Sequence, residues 1–229
     1  KIWRLSSSPR PSASSAVSEG GRIYLKAQDH LALEAGSVTA ADGGGTGNGG
    51  VVLALSDAIA NFDGQMSANA GANGGDGGFV ETSAKTLSFG ENFAVSAAAA
   101  NGQAGEWLID PTDITIQATT CTGTNCMTAD TISSTLSGGT SVTIQTDAGG
   151  YYEAGHIDIH APITVSNASG SVTLEFVAHG GIYVNDTITH TGAGDFVLSF
   201  DAGNDLAIDS DILSTGSGTM QANFYAQND

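Results

Sequence analysis

Two groups of residues in this 229-residue chain have the types and spacing for acid–base or metal chemistry. His156, Asp158 and His160 alternate along one short segment. If that segment is a strand, Ile157 and Ile159 point one way and the three polar side chains the other. Imidazole and carboxylate at i, i+2 and i+4 suit a weakly bound divalent metal ion. No fourth ligand is identifiable, so a solvated strand face is the plainer reading and no metal is assigned. Asp201, Asp205, Asp209 and Asp211 form the second group. Clustered carboxylates can cleave polysaccharides, one as acid and one as base. Asp is equally a turn residue. A lyase acting on acidic sugars would also need a cation beside the substrate carboxylate, and no Lys or Arg follows Lys85. The four Asp are therefore read as turn formers, and the chain as a non-enzyme with no catalytic residue and no cofactor.

Covalent chemistry is suggested at three further places. Cys121 and Cys126 are the only cysteines. A close pair in a Thr/Gly/Asn context predicts a small disulfide ring and an oxidising compartment. Asn167-Ala168-Ser169 and Asn185-Asp186-Thr187 are acceptor sequons for a sugar, with chance occurrence as the plainer reading. The run from Gly43 to Gly50 lacks the Lys-Ser/Thr end of a phosphate loop and reads as a turn. The nine-residue glycine–aspartate repeat of calcium-binding β-rolls does not occur.

Charge narrows the partners. The chain has 24 Asp and Glu against six Lys and Arg, a net charge of −18. Binding to nucleic acid rests on cations that neutralise phosphates, so nucleic acid is excluded as a partner, as is an anionic membrane. No apolar run approaches 18 residues, which argues against insertion into a membrane by a helix. Lys1-Ile2-Trp3-Arg4 is followed by Ser and Pro rather than by the apolar core of a signal peptide. If the protein is secreted, these residues are expected to be a mature or excised piece. At 40% hydrophobic residues the chain is too apolar for a disordered one.

The elements that must hold these groups are set by a long repeat. Val172, Leu174, Phe176, Ile182, Val184 and Ile188 are apolar, and so is every residue 24 positions on, from Phe196 to Ile212. Met220 and Phe224 continue the series. Ile157, Ile159 and Ile163 match Ile182, Val184 and Ile188 at a spacing of 25. Val142 and Ile144 match Val172 and Leu174 across a longer gap, with Gly149-Gly150-Tyr151-Tyr152 as a protruding loop. Upstream, Gly-Gly pairs ending at Gly21, Gly50 and Gly78, then Gly105, recur every 27 to 29 residues. Each precedes a short strand. A second apolar cluster contains Leu31 and Leu33, Ile59, and Leu87 and Phe89; a third contains Val38, Met66 and Val95.

Three short strands per unit, alternating apolar and polar, cannot bury their apolar face alone; stacked units can. The fold class predicted is all-β, a right-handed parallel β-helix, with one unit per coil. Seven or eight coils at ~4.8 Å per strand give a rod roughly 35 Å long. Residues 1–20 read as a linker or frayed leading coil, 21–118 as a first array of period about 28, and 141–229 as a second of period about 24. Between them, 119–140 hold the Cys loop and a short helix, capped at Thr128-Ala129-Asp130 and ended by Gly138-Gly139. Both are expected to bulge from the rod.

Certain phrases carry a resemblance. Gly77-Gly78-Phe79-Val80-Glu81-Thr82-Ser83, Gly105-Glu106-Trp107-Leu108-Ile109-Asp110-Pro111 and Asp113-Ile114-Thr115-Ile116 resemble the secreted passengers of two-partner secretion. These are the filamentous haemagglutinins and, more closely, the high-molecular-weight adhesins. The segments Ile132 to Ile144, Gly155 to Ile159 and Gly180 to Asn185 are similar as well, so the likeness spans roughly residues 20–229. Ala84 stands where that family usually has Gly. The family's amino-terminal secretion motif is not found here. The resemblance implies the shaft of a large bacterial surface adhesin, secreted or held at the outer surface. It also implies an outer-membrane transporter as export partner and a host-cell or matrix glycan or protein as ligand. Related adhesins carry sugar on Asn, which would apply to Asn167 and Asn185. Two alternatives stand beside this: a polysaccharide-active enzyme built on the Asp cluster, and a segment that associates end to end into fibres.

Overall fold

A computed structural model describes residues 2–5 (backbone only), 21–118, 121, 123–147 and 154–227. The linker expected within residues 1–20 lies largely outside these, as does the loop at Gly149-Gly150-Tyr151-Tyr152.

The chain winds as a parallel β-helix. A leading strand β1 (Ile2–Leu5) precedes the first coil, β2 (Arg22–Ala27), β3 (His30–Leu33) and β4 (Val38–Ala40). The second coil is β5 (Val51–Ser56), β6 (Ile59–Phe62) and β7 (Gln65–Ser67); the third is β8 (Phe79–Ser83), β9 (Thr86–Phe89) and β10 (Ala94–Ser96). The fourth holds β11 (Glu106–Asp110), β12 (Ile114–Gln117), β13 (Cys126–Thr128) and the helix α1 (Ala129–Ser137). Regular winding resumes with β14 (Ser141–Thr146), β15 (Ile157–Ile159) and β16 (Ile163–Val165), then β17 (Ser171–Ala178), β18 (Ile182–Val184) and β19 (Ile188–His190). The last described coils are β20 (Asp195–Ala202), β21 (Leu206–Ile208) and β22 (Ile212–Ser214), then β23 (Met220–Ala226).

First strands of successive coils form one eight-stranded sheet, β2-β5-β8-β11-β14-β17-β20-β23. Second strands form a nine-stranded sheet, and third strands form two three-stranded sheets, β4-β7-β10 and β16-β19-β22. Every named pairing is parallel, for example Val172 to Phe196 and Phe176 to Phe200. Period-2 alternation therefore drives one row of each strand inward. Trp107, Phe62, Phe176, Phe196 and Phe200 are fully buried there. Each contributes roughly 1.5–3 kcal/mol relative to exposure. The rings of Phe176, Phe200 and Phe224 stack along the axis at 5.3 and 5.6 Å.

The 24-residue register appears as the sequence predicts, and the 25-residue match of Ile157 with Ile182 does too. Three alignments are corrected. Val142 pairs with Leu174, not Val172, a slip of two that keeps the same face. Thr39, not Val38, lies beside Met66, so Thr39 is the buried residue. Ala60 lies beside Leu31 and Leu87, leaving Ile59 on the outside, 43% exposed. A one-residue shift exchanges the faces of a strand, and a small inward Ala is hard to tell from a turn residue.

The fourth coil differs most from expectation. The helix has its predicted cap: Thr128 Oγ1 accepts the Thr131 N–H, and Gly138 closes the end. It does not bulge. Ile132 and Leu136 are fully buried in the common core, and α1 packs against β10, β14 and β16. It occupies the third face between the two three-stranded sheets. A helix offers no backbone ladder to a strand edge, and hydroxyls supply the acceptors instead. The Thr164 and Ser166 N–H groups donate to Ser133 Oγ and Ser137 Oγ, each at 3.0 Å, and the Ala97 N–H donates to Thr140 Oγ1 at 2.9 Å.

Also in this coil, β13 turns back and inserts between β9 and β12. Asn125 makes the insertion fit. At φ +52° it is in the left-handed region that Asn tolerates. Its Oδ1 accepts the Leu87 N–H at 2.7 Å, and its Nδ2 donates to Lys85 O at 3.0 Å. The side chain thus continues the pairing of β9 with β13 one residue before Cys126.

Replacing Phe200 with Ala should cost about 3–5 kcal/mol in urea unfolding. Tyr225→Ala, on the outer face of β23, should stay within about 0.5 kcal/mol. Equal losses would contradict the described stacking.

Candidate functional site

Positions of the predicted residues follow from the coil geometry. His156, Asp158 and His160 do share the outer face of β15 and its flanks, with Ile157 and Ile159 buried between them. His156 is already engaged: its Nδ1 accepts the Gly181 N–H at 2.8 Å, and its ring meets Tyr183 edge-on at 5.5 Å. His160 is exposed. Among the described residues no group of three or more His, Cys, Asp or Glu side chains is placed to hold a metal ion.

Asp201 lies on the outer side of β20, and Asp205, Asp209 and Asp211 stand in the turns flanking β21 and β22. Elsewhere the role of Asp and Asn at such corners is explicit. Asp42 Oδ1 accepts the Asn69 N–H at 2.7 Å, and Asn69 Oδ1 accepts the Ala98 N–H at 2.9 Å. Asp63 reaches the Asn92 N–H, Asp76 that of Gln103, Asp113 that of His156 and Asp195 that of Thr219. Each carboxylate or amide binds a backbone donor one coil on, where a turn interrupts the ladder. Such charge-assisted bonds are stronger than neutral ones. Five aspartates, Asp42, Asp63, Asp76, Asp113 and Asp195, thus serve the fold itself.

Cys121 and Cys126 are joined in a disulfide, with Cα atoms 5.6 Å apart. The two sequons differ sharply. Asn167 is buried, and its Nδ2 donates to Asp195 O at 3.0 Å and lies against Gly194. A sugar on that nitrogen is incompatible with the folded coil. Asn185 is exposed in the turn between β18 and β19.

Two concavities among the described residues bear on function. The smaller, about 460 Å³, follows the ends of the first strands and is lined by Lys26, Glu81, Lys85, Asp110 and Asp147 among others. Asp110 is half-buried, and its pKa is pushed up to about 6, first by loss of hydration and then by the charges of Asp147 and Glu81. The glutamate next along this sheet, Glu175, is raised for the same reasons, by burial and then by Glu106 and Asp201. Stacking brings carboxylates from separate coils together, which linear spacing does not reveal. Asp110 sits inside the phrase Trp107-Leu108-Ile109-Asp110-Pro111, yet nothing in that phrase marks it as perturbed.

The larger concavity, about 920 Å³, opens between the corner joining β9 to β10, the Cys121–Cys126 disulfide and α1. It exists because a helix, roughly 10–12 Å across with its side chains, stands where a strand would sit ~4.8 Å from its neighbour. Phe89 and Phe93 form its floor, in contact at 4.9 Å and backed by Trp107. The Trp107 indole N–H is fixed by Thr82 Oγ1 at 3.0 Å.

No protein-family model matches this chain, and no curated protein matches it.

Because the folded protein raises the Asp110 pKa, it binds that proton more tightly than the unfolded chain. The ionised form is therefore destabilising above about pH 6, and the penalty fades as pH falls toward about 4. Asp110→Asn should stabilise at pH 7–8 by about 1 kcal/mol, allowing for solvent screening. That gain should vanish near pH 4. Thermal melts across this range check it; a gain that grows on acidification would contradict the assignment.

Proposed function

We propose that these residues form a β-helical shaft segment of a large secreted bacterial adhesin, extending an attachment surface away from the cell. One observation carries the reading: in-register parallel pairing makes successive coils advance along a single axis. Length then grows by a strand spacing per coil without any change of fold. The phrases around Phe79 and Trp107 support placing it with two-partner secreted passengers. Export would use an outer-membrane transporter, and the surface contacted would be a cell or matrix glycan or protein. A net charge of −18 favours neutral, cationic or cation-bridged ligands over anionic ones.

Beads coated with the segment should attach to cultured epithelial cells or matrix polysaccharide several-fold above albumin-coated beads. Attachment no better than albumin would remove the adhesive part of the proposal. If the natively exported protein carries sugar, peptide mass spectrometry should find it at Asn185 and not at Asn167. A glycosylated Asn167 in folded protein would contradict the buried amide.

A further inference from the structure

We propose that the 920 Å³ cleft beside the Cys121–Cys126 disulfide is a binding site for a Lys- or Arg-bearing extended peptide segment of a partner protein. The proposal rests on the make-up of the cleft and does not depend on the shaft being adhesive.

Its floor is aromatic and apolar. Phe89 is half-buried and presents part of its ring to the cleft, while Phe93 and Met127 line it from buried positions. The rings of Phe62, Phe93 and Trp107 hold Phe89 from behind at centroid distances of 5.9, 4.9 and 6.1 Å. A ring fixed in this way costs no ordering when a ligand stacks on it.

Its rim is acidic. Glu91 stands on the β9–β10 corner and Asp130 in the first turn of α1, both exposed. No Lys, Arg or His is among the described residues lining the cleft. The N-terminus of α1 carries about half a positive charge, which the full charge of Asp130 outweighs.

An aromatic floor below carboxylates matches one ligand chemistry: an organic cation on an apolar stem. The stem lies on the exposed part of Phe89, the cation meets the ring, and its N–H groups donate to Glu91 or Asp130. An anion is rejected, because no cation lines the cleft to offset its loss of water. Size favours a peptide over a lone amine. The volume is near the upper end for single-ligand pockets, roughly 300–1,000 Å³. A single Lys side chain leaves most of it unfilled, so adjoining backbone must enter. The Ser134 and Ser96 hydroxyls donate to Thr131 O and Asn69 Oδ1, and that of Thr131 pairs with Thr128 Oγ1, so they meet that backbone as acceptors for its N–H groups.

The test is fluorescence anisotropy with a labelled Gly-Lys-Gly-Lys-Gly-Lys-Gly peptide and its Arg and Glu analogues, at about 150 mM salt to screen long-range attraction. The Lys and Arg peptides should bind and the Glu peptide should not. Glu91→Gln with Asp130→Asn should weaken binding roughly tenfold or more. Asp209→Asn with Asp211→Asn removes the same charge far along the rod and should change it less than about twofold. Ser134→Trp, which fills the cleft from an exposed helix position, should abolish binding while circular dichroism stays unchanged. Equal losses from the two charge-removing pairs would show attraction to net charge alone and overturn the site. So would undetectable binding of both basic peptides, or preferential binding of a chitosan trisaccharide.

Discussion

The structure depends on one constraint: each strand's backbone must find its partner on the neighbouring coil, in register. Within a regular coil the three strands face different directions and share no ladder; only β12 and β13 of the fourth coil, among the described strands, pair with each other. The parallel pairing between coils therefore satisfies the backbone and fills the interior at once. Residues that meet along a column have to agree in face and volume. This is why Phe176, Phe200 and Phe224 stack in one line and why Val172, Phe196 and Met220 lie in another.

Corners break the ladder, and the acidic residues repair it. Asp and Asn side chains at Asp42, Asn69, Asp63, Asp76 and Asp195 accept backbone N–H groups one coil on. Glycine allows the backbones to approach at the same corners. A Cβ on Gly49 would stand 1.9 Å from the carbonyl oxygen of Ala68. These aspartates and the corner glycines therefore share a structural cause.

The fourth coil shows what happens when the rule is relaxed. A helix replaces the third strand, and hydroxyls of Ser133, Ser137 and Thr140 take over the pairing it cannot provide. Asn125 does the same for the inserted strand β13. The mismatch between helix diameter and strand spacing leaves the larger cleft open. The larger cleft is thus a by-product of this departure from regular winding.

The amino-acid sequence by itself determined the fold class, the 24-residue register and the capped helix. These rest on local periodicity and on turn and cap chemistry, which a linear chain displays. It misplaced Val38 and Ile59 by one position, because Thr39 and Ala60 carry too weak an apolar signal to mark an inward column. Tertiary structure alone decided that the helix belongs to the core, that Asn167 is sealed while Asn185 is open, and that Glu81, Asp110 and Asp147 line one groove. Each of these follows from which residues stack across coils. In a solenoid that is set by the length of every intervening turn, so an insertion such as that carrying Cys121 and Cys126 moves neighbours that no local pattern records.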